Sequence, residues 1–398
     1  MATANPIPDI TAPSERPGPG LLVLLAGMPP EQLESVLANL TASFPAEGLL
    51  IAAPDTLPAD SYPSLRIVAA PATDASWTLT AADFVNAYQL ADKNKARAIL
   101  MLGPESGSLG SSAFRDLANA VLTTPTDLAV SCYDLAPRAG LVNSAILYPL
   151  TRALFSSRVR FPLAADLGLS LRMAERLAGA AQRFTTLNQG EAPLCPINEA
   201  TVAGFTIDQF DVGPRIQSQP TGPDLNTILP LVTGALFSDI DAKAAFWQRS
   251  RQLPPALNPM PMPQAPSTDA AADIAHMLQA FRLAYTNLQE IWSLVLPPNS
   301  LLGLKRLSAT DAAAFRMPES LWARIVFDFL LAYRLRTINR GHLLGALIPL
   351  YLAWVASHIN ITASGTNSER HIEAVAAAFE AEKTYLVSRW RWPDRFNP

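Results

Sequence analysis

At 398 residues the chain is long enough to bury a sizeable core and to make two structural units, with 49% hydrophobic residues against only 16% charged. Its 34 acidic and 30 basic side chains leave a formal charge of -4, which predicts no electrostatic attraction to nucleic acid, a partner that needs a dense basic patch. Two cysteines, Cys132 and Cys195, are too few for a disulfide framework, and the four scattered histidines include no His-Glu-x-x-His zinc signature.

The first 19 residues are rich in Pro, Ala and Ser and carry neither a basic leader nor an apolar core. They predict a disordered tail on a cytoplasmic protein. Gly20 to Gly27 is a continuous apolar run bounded by breakers, the pattern of a fully buried strand. Leu33, Val36, Leu37 and Leu40 follow at helical spacing. Leu49 to Ala53, closed by Pro54, and Leu65 to Ala69 predict two more strands. Ala81 to Lys93 predicts an amphipathic helix, and Ala98 to Leu102 the next strand. Strands alternating with helices point to a parallel sheet covered on both faces. In such a sheet ligands sit beyond the carboxyl ends of the strands, which makes the loop from Gly103 to Leu109 a candidate site.

Six prolines between Gln252 and Asp269 mark a linker. The expected division is therefore a tail over 1–19, an α/β domain over 20–251, a linker over 252–269 and a helical domain over 270–398. Beyond the linker, Ile274 to Trp292, Trp322 to Tyr333 and Ile372 to Leu386 carry apolar stripes at helical spacing. Leu343 to Ile361 approaches membrane-span length, but Pro349, Ser357, His358 and Asn360 interrupt it and favour a buried helix.

Two segments stand out together. One is Met101-Leu102-Gly103-Pro104-Glu105-Ser106. The other runs from Asn143 through Tyr148-Pro149-Leu150-Thr151-Arg152 to Arg160-Phe161-Pro162-Leu163-Ala164-Ala165-Asp166. Met317-Pro318-Glu319-Ser320-Leu321-Trp322 and Glu382-Lys383-Thr384-Tyr385-Leu386 extend the pattern into the helical part. Together they resemble a bacterial and archaeal branch of nucleotide-sugar glycosyltransferases with the GT-A fold, related to mannosylglycerate and glucosyl-3-phosphoglycerate synthases. The resemblance implies a Rossmann-like, mostly parallel sheet flanked by helices and followed by an all-helical region. It also implies transfer of a sugar from a nucleotide-sugar donor to a small hydroxylated acceptor.

In that family an Asp-x-Asp loop and a later histidine hold the metal that neutralises the departing diphosphate. Here Gly103 and Glu105 stand where the two aspartates belong, and Gln217-Ser218 stands where a His-Asp pair belongs. The resemblance leaves Glu105 as the one candidate metal ligand, for Mg or Mn; otherwise it is a solvated loop carboxylate. Glu105, Arg152 and Arg160 are the implied donor-binding residues, and Asn143 and Tyr148 line the acceptor side. Asp166 is the implied catalytic acid, orienting the acceptor hydroxyl or stabilising an oxocarbenium-like centre. Asp166 equally fits a structural role, capping a helix that begins around Ser170 or pairing with Arg152 or Arg160. Tyr148 and Arg152 share a helix with Leu147, Leu150 and Leu154, which favours packing roles for both. Two functions stay open: a transferase with an altered site, or a catalytically inactive relative that binds a ligand or supports an active paralogue. A homodimer through the apolar helical half is a further expectation.

Overall fold

Five consecutive apolar side chains can be buried only where both faces of a strand are covered, and Leu21–Leu25 (β1) is buried along its whole length. The computed structural model describes residues 20–28, 30–54, 62–71, 78–104, 106–136, 138–186, 192–215, 222–250 and 270–393. The tail expected over 1–19 and the linker expected over 252–269 lie outside them. Pro30–Ser43 (α1), Leu49–Pro54 (β2), Arg66–Ala70 (β3), Ala81–Asn94 (α2), Ala98–Leu102 (β4), Ser111–Thr123 (α3) and Leu128–Asp134 (β5) follow β1. A π-helical turn, Asn143–Leu147, runs into Tyr148–Phe155 (α4). Leu167–Ser170 (β6), Leu171–Thr185 (α5), Pro196–Ala203 (α6) and Ile207–Pro214 (β7) complete the α/β part.

The sheet order is β3-β2-β1-β4-β6-β5-β7. β6 runs antiparallel between β4 and β5, while the remaining pairings are parallel. This reversal positions the candidate site. The carboxyl ends of β1, β4, β5 and β7 share one edge with the residues that enter β6, so Gly103, Tyr133, Asp166 and Arg215 arrive together. Gly168 lets the layers close: a Cβ there would stand 2.4 Å from the Leu117 carbonyl oxygen of α3.

The chain beyond β7 is helical: Gly222–Ala242 (α7), Ala244–Trp247 (α8), Ala270–Asn287 (α9), Gln289–Val295 (α10), Pro298–Ser308 (α11), Glu319–Leu335 (α12), Arg340–Ala363 (α13) and Ser368–Arg391 (α14). The expected class, a mostly parallel α/β sheet followed by an all-helical region, is the one observed. Packing falls into two large apolar clusters and a small third one of Tyr148, Ile372 and Ala376. The first surrounds the sheet; the second gathers the helical region together with α7 and the segment from Leu141 to Phe155. That segment leaves the sheet between β5 and β6 and docks among the helices. α13 is long and apolar enough to cross a membrane, and 67% of its most apolar window is buried within the structure. Trp292 Nε1 donates to its Ala346 carbonyl at 3.0 Å, and Asn339 caps its start by accepting from the Gly341 and His342 amides.

Candidate functional site at the carboxyl edge of the sheet

Asp166 lies at the centre of this edge and is fully buried. Its Oδ1 accepts from the Gly103 amide at 3.1 Å, and its Oδ2 accepts from the Tyr133 hydroxyl at 2.9 Å. Arg215, at the end of β7, donates through Nη1 to the same Oδ2 and to the Tyr133 oxygen at 2.8 Å. Through Nη2 it also donates to the Pro104 carbonyl. The guanidinium carbon sits 4.8 Å from the centre of the Tyr133 ring. Ser131 donates to the Asp166 carbonyl at 2.8 Å. One carboxylate and one guanidinium thus fasten the ends of β4, β5 and β7 to the start of β6. Burial pushes the Asp166 carboxyl above its ordinary range, against the pull of Arg215. Burial likewise raises the Tyr133 hydroxyl, helped by the charge of Asp166.

The partner of Asp166 is neither Arg152 nor Arg160, and Asp166 does not cap α5. Ser170 does that, its Oγ accepting from the Met173 amide at 3.3 Å. At the first metal-ligand position of the resembling family there is no room for a side chain. A Cβ on Gly103 would lie 2.5 Å from Ala165 Cβ and 3.2 Å from the Ala165 carbonyl oxygen. Glu105 and Gln217-Ser218 lie outside the described residues. Among the described residues, no group of three or more His, Cys, Asp or Glu is arranged to hold a metal ion.

The other implied site residues meet α14. Arg152 Nη1 pairs with Glu373 Oε2 at 2.5 Å and Nη2 with Glu380 Oε2 at 3.1 Å. The Tyr148 hydroxyl donates to Glu373 Oε1 at 2.6 Å and accepts from Arg152 Nη1 at 3.1 Å. Arg160 grips Glu369 with Nε at 2.9 Å and Nη2 at 3.0 Å, and its guanidinium lies over the rings of Tyr148 and Phe161. Asn143 donates to the Arg160 carbonyl at 3.0 Å. Burial disfavours the charge on both arginines, yet the glutamates hold both above their ordinary values. The structure therefore brings Asn143, Tyr148, Arg152 and Arg160 together, as one seam joining α4 to α14. Asp166 belongs to a separate cluster with its own arginine.

The sequence reading assigned no role to Arg215, Tyr133, Glu369, Glu373 or Glu380. Arg215 directly follows Pro214 at the end of a strand, and that position is the only local signal it carries. Behind the seam, His358 and His371 are buried, with their Nδ1 atoms 2.7 Å apart. Ser368 Oγ lies 3.2 Å from His358 Nε2, and Glu319 Oε1 lies 3.6 Å from His371 Nε2. Burial, followed by the charges of His371 and Arg160, lowers His358 to about 3.

No family model and no curated protein matches this chain. Among solved structures, it is similar to a glucosyl-3-phosphoglycerate synthase from Mycobacterium tuberculosis in complex with Mn2+, uridine diphosphate and glucosyl-3-phosphoglycerate. The identity is 16%, over 56% of this chain and 80% of that one, with a TM-score of 0.38. A complex of the same synthase with Mn2+, UDP-glucose and phosphoglyceric acid gives 14% identity over 61% and 88% at 0.39. A further mycobacterial protein gives 14% identity over 56% and 75%, also at 0.39.

Proposed function

We propose that this chain is a glycosyltransferase-fold protein that has given up metal-dependent sugar transfer and acts as a binding or supporting subunit. The observation that carries this reading is the Arg215 clamp, because it consumes both groups at the strand ends that chemistry would need. Breaking a sugar–diphosphate bond builds negative charge on the leaving group, and that charge needs a fixed cation or oriented donors. Arg215 already neutralises Asp166 at contact distance and also holds the Pro104 carbonyl. Along the α4–α14 seam, Glu369, Glu373 and Glu380 already engage both Arg152 and Arg160, so neither guanidinium is left to meet a diphosphate. An acid–base residue must also come within hydrogen-bond reach of its substrate, whereas Asp166 is buried and bonded on both carboxylate oxygens. The sequence resemblance and the sheet order support descent from a transferase; the spent charges support loss of its chemistry.

Calorimetric titration with UDP, GDP, UDP-glucose and GDP-mannose, with and without Mn2+, tests the proposal. The expected result is no metal-dependent binding to any of the four. Micromolar binding that appears only with Mn2+ refutes the lost-site reading and reinstates the transferase.

A further inference from the structure

The helical region presents a positively charged end on a protein whose overall charge is negative. α12 finishes with Arg334 and Leu335 and is capped by Arg336; α13 begins at Arg340; α14 finishes with Arg391, followed by Trp392. Side-chain contacts bring these termini to one place. Arg334 lies 4.2 Å over the Trp390 ring and donates to the Trp390 carbonyl at 2.9 Å, joining the ends of α12 and α14. Arg340 lies 4.0 Å over the Tyr333 ring, joining the start of α13 to the end of α12. Arg391 donates to Gln248 at 3.1 Å, beside the exposed Arg249. Two large apolar side chains stand out among these arginines, Leu335 at 46% and Trp392 at 62% exposure.

We infer that this end is a docking surface for anionic lipid bilayers. Four guanidiniums, Arg334, Arg336, Arg340 and Arg391, lie at these helix ends, and among the described residues the carboxylate paired with them is Asp241, 3.5 Å from Arg334. Two helix carboxyl ends and one amino end add about half a negative charge net. That leaves a surplus of about two and a half positive charges among the described residues of this face, against a formal charge of -4 for the chain. An anionic membrane attracts this end and repels the rest, which orients the molecule. Trp392 and Leu335 then enter the boundary between headgroups and acyl chains, while the arginine stems lie along it with their charges in the headgroups. A nucleic-acid backbone could satisfy the arginines but would leave Leu335 in water. A bilayer interface takes both kinds of group.

Cosedimentation of the full chain with vesicles of phosphatidylcholine alone, or mixed with phosphatidylglycerol, tests the inference. Binding is expected to the mixed vesicles only and is expected to weaken as salt rises. Arg336→Asn removes one charge with a residue that tolerates the left-handed backbone at that position, φ 54°. It is expected to lower partitioning by about fivefold. Trp392→Ser is expected to lower it at least as far, whereas Leu283→Ser, exposed on α9 and not on the helix ends that carry Arg334, Arg336, Arg340 and Arg391, leaves it unchanged. Equal binding to both vesicle types, binding to neither, or undiminished binding by Trp392→Ser overturns the inference. So does tighter binding to a single-stranded oligonucleotide than to the mixed vesicles.

Discussion

Replacing Gly103 with alanine probes the feature that separates this site from a metal centre. The added methyl would lie 2.5 Å from Ala165 Cβ, about 1.0–1.5 Å inside carbon–carbon contact distance, which is about 3.5–4.0 Å. The obstacle is not a flexible side-chain end but the first atom of a residue next to Asp166, so relief requires the backbone of one loop to move. Overpacking of this kind costs about 1–3 kcal/mol, offset by about 0.4–1 kcal/mol from the stiffer unfolded chain. A net loss of about 1–2 kcal/mol is expected for Gly103→Ala. Gly103→Asp adds a second carboxylate beside buried Asp166 and is expected to lose at least about 3 kcal/mol without gaining Mn2+ affinity. Ala165→Gly alone costs about 1–2 kcal/mol through backbone entropy and one lost buried methyl. Combined with Gly103→Ala it merely relocates that methyl, so the double variant should be no less stable than Ala165→Gly alone. Urea unfolding followed by far-UV circular dichroism measures the cycle. Hydrogen exchange across Ala98–Leu102 and Leu167–Ser170 keeps the readout on the strands concerned. Additive losses, or a Gly103→Ala variant within about 0.5 kcal/mol of the parent, would refute the steric argument.

Arg215→Met leaves the Asp166 carboxylate buried without its counter-ion and is expected to cost about 3–5 kcal/mol; adding Asp166→Asn should recover part of that loss in the same urea assay. His358 predicts the pH response of the helical region. Its folded value of about 3 lies below the ordinary 6.5, so the unfolded chain takes up a proton that the folded one refuses. The stabilisation is complete above about 6.5 and is lost as pH falls towards 3. Trp354 stacks 5.3 Å from the His358 ring, so the fluorescence-detected stability of the parent should fall between these limits, while His358→Phe shows a flatter profile.

Most of the sheet was legible locally. The strand expected over Leu65 to Ala69 is found one residue later, as Arg66–Ala70, and the helix expected over Ala81 to Lys93 ends one residue later, at Asn94. Runs such as Leu21–Leu25 and Ala98–Leu102 declare themselves because a strand covered on both faces has no polar alternation to disguise it. The Gly103 loop was legible too, since it follows the carboxyl end of such a run. What those loops hold was not. Asp166 and Arg215 are 49 positions apart and meet only because β6 inserts antiparallel between β4 and β5. Arg152 meets Glu373 across 221 positions because the segment after β5 leaves the sheet to dock on α14.

Apolar periodicity is a property of neighbouring residues, so this chain announced its strands, its helices and its charged side chains directly. The choice of counter-ion depends on which distant elements pack together, and ion pairing falls off too steeply with distance and hydration to leave a local trace. Whether Asp166, Arg152 and Arg160 face a ligand or one another's neighbours was therefore decided by the order of the sheet and the docking of α14.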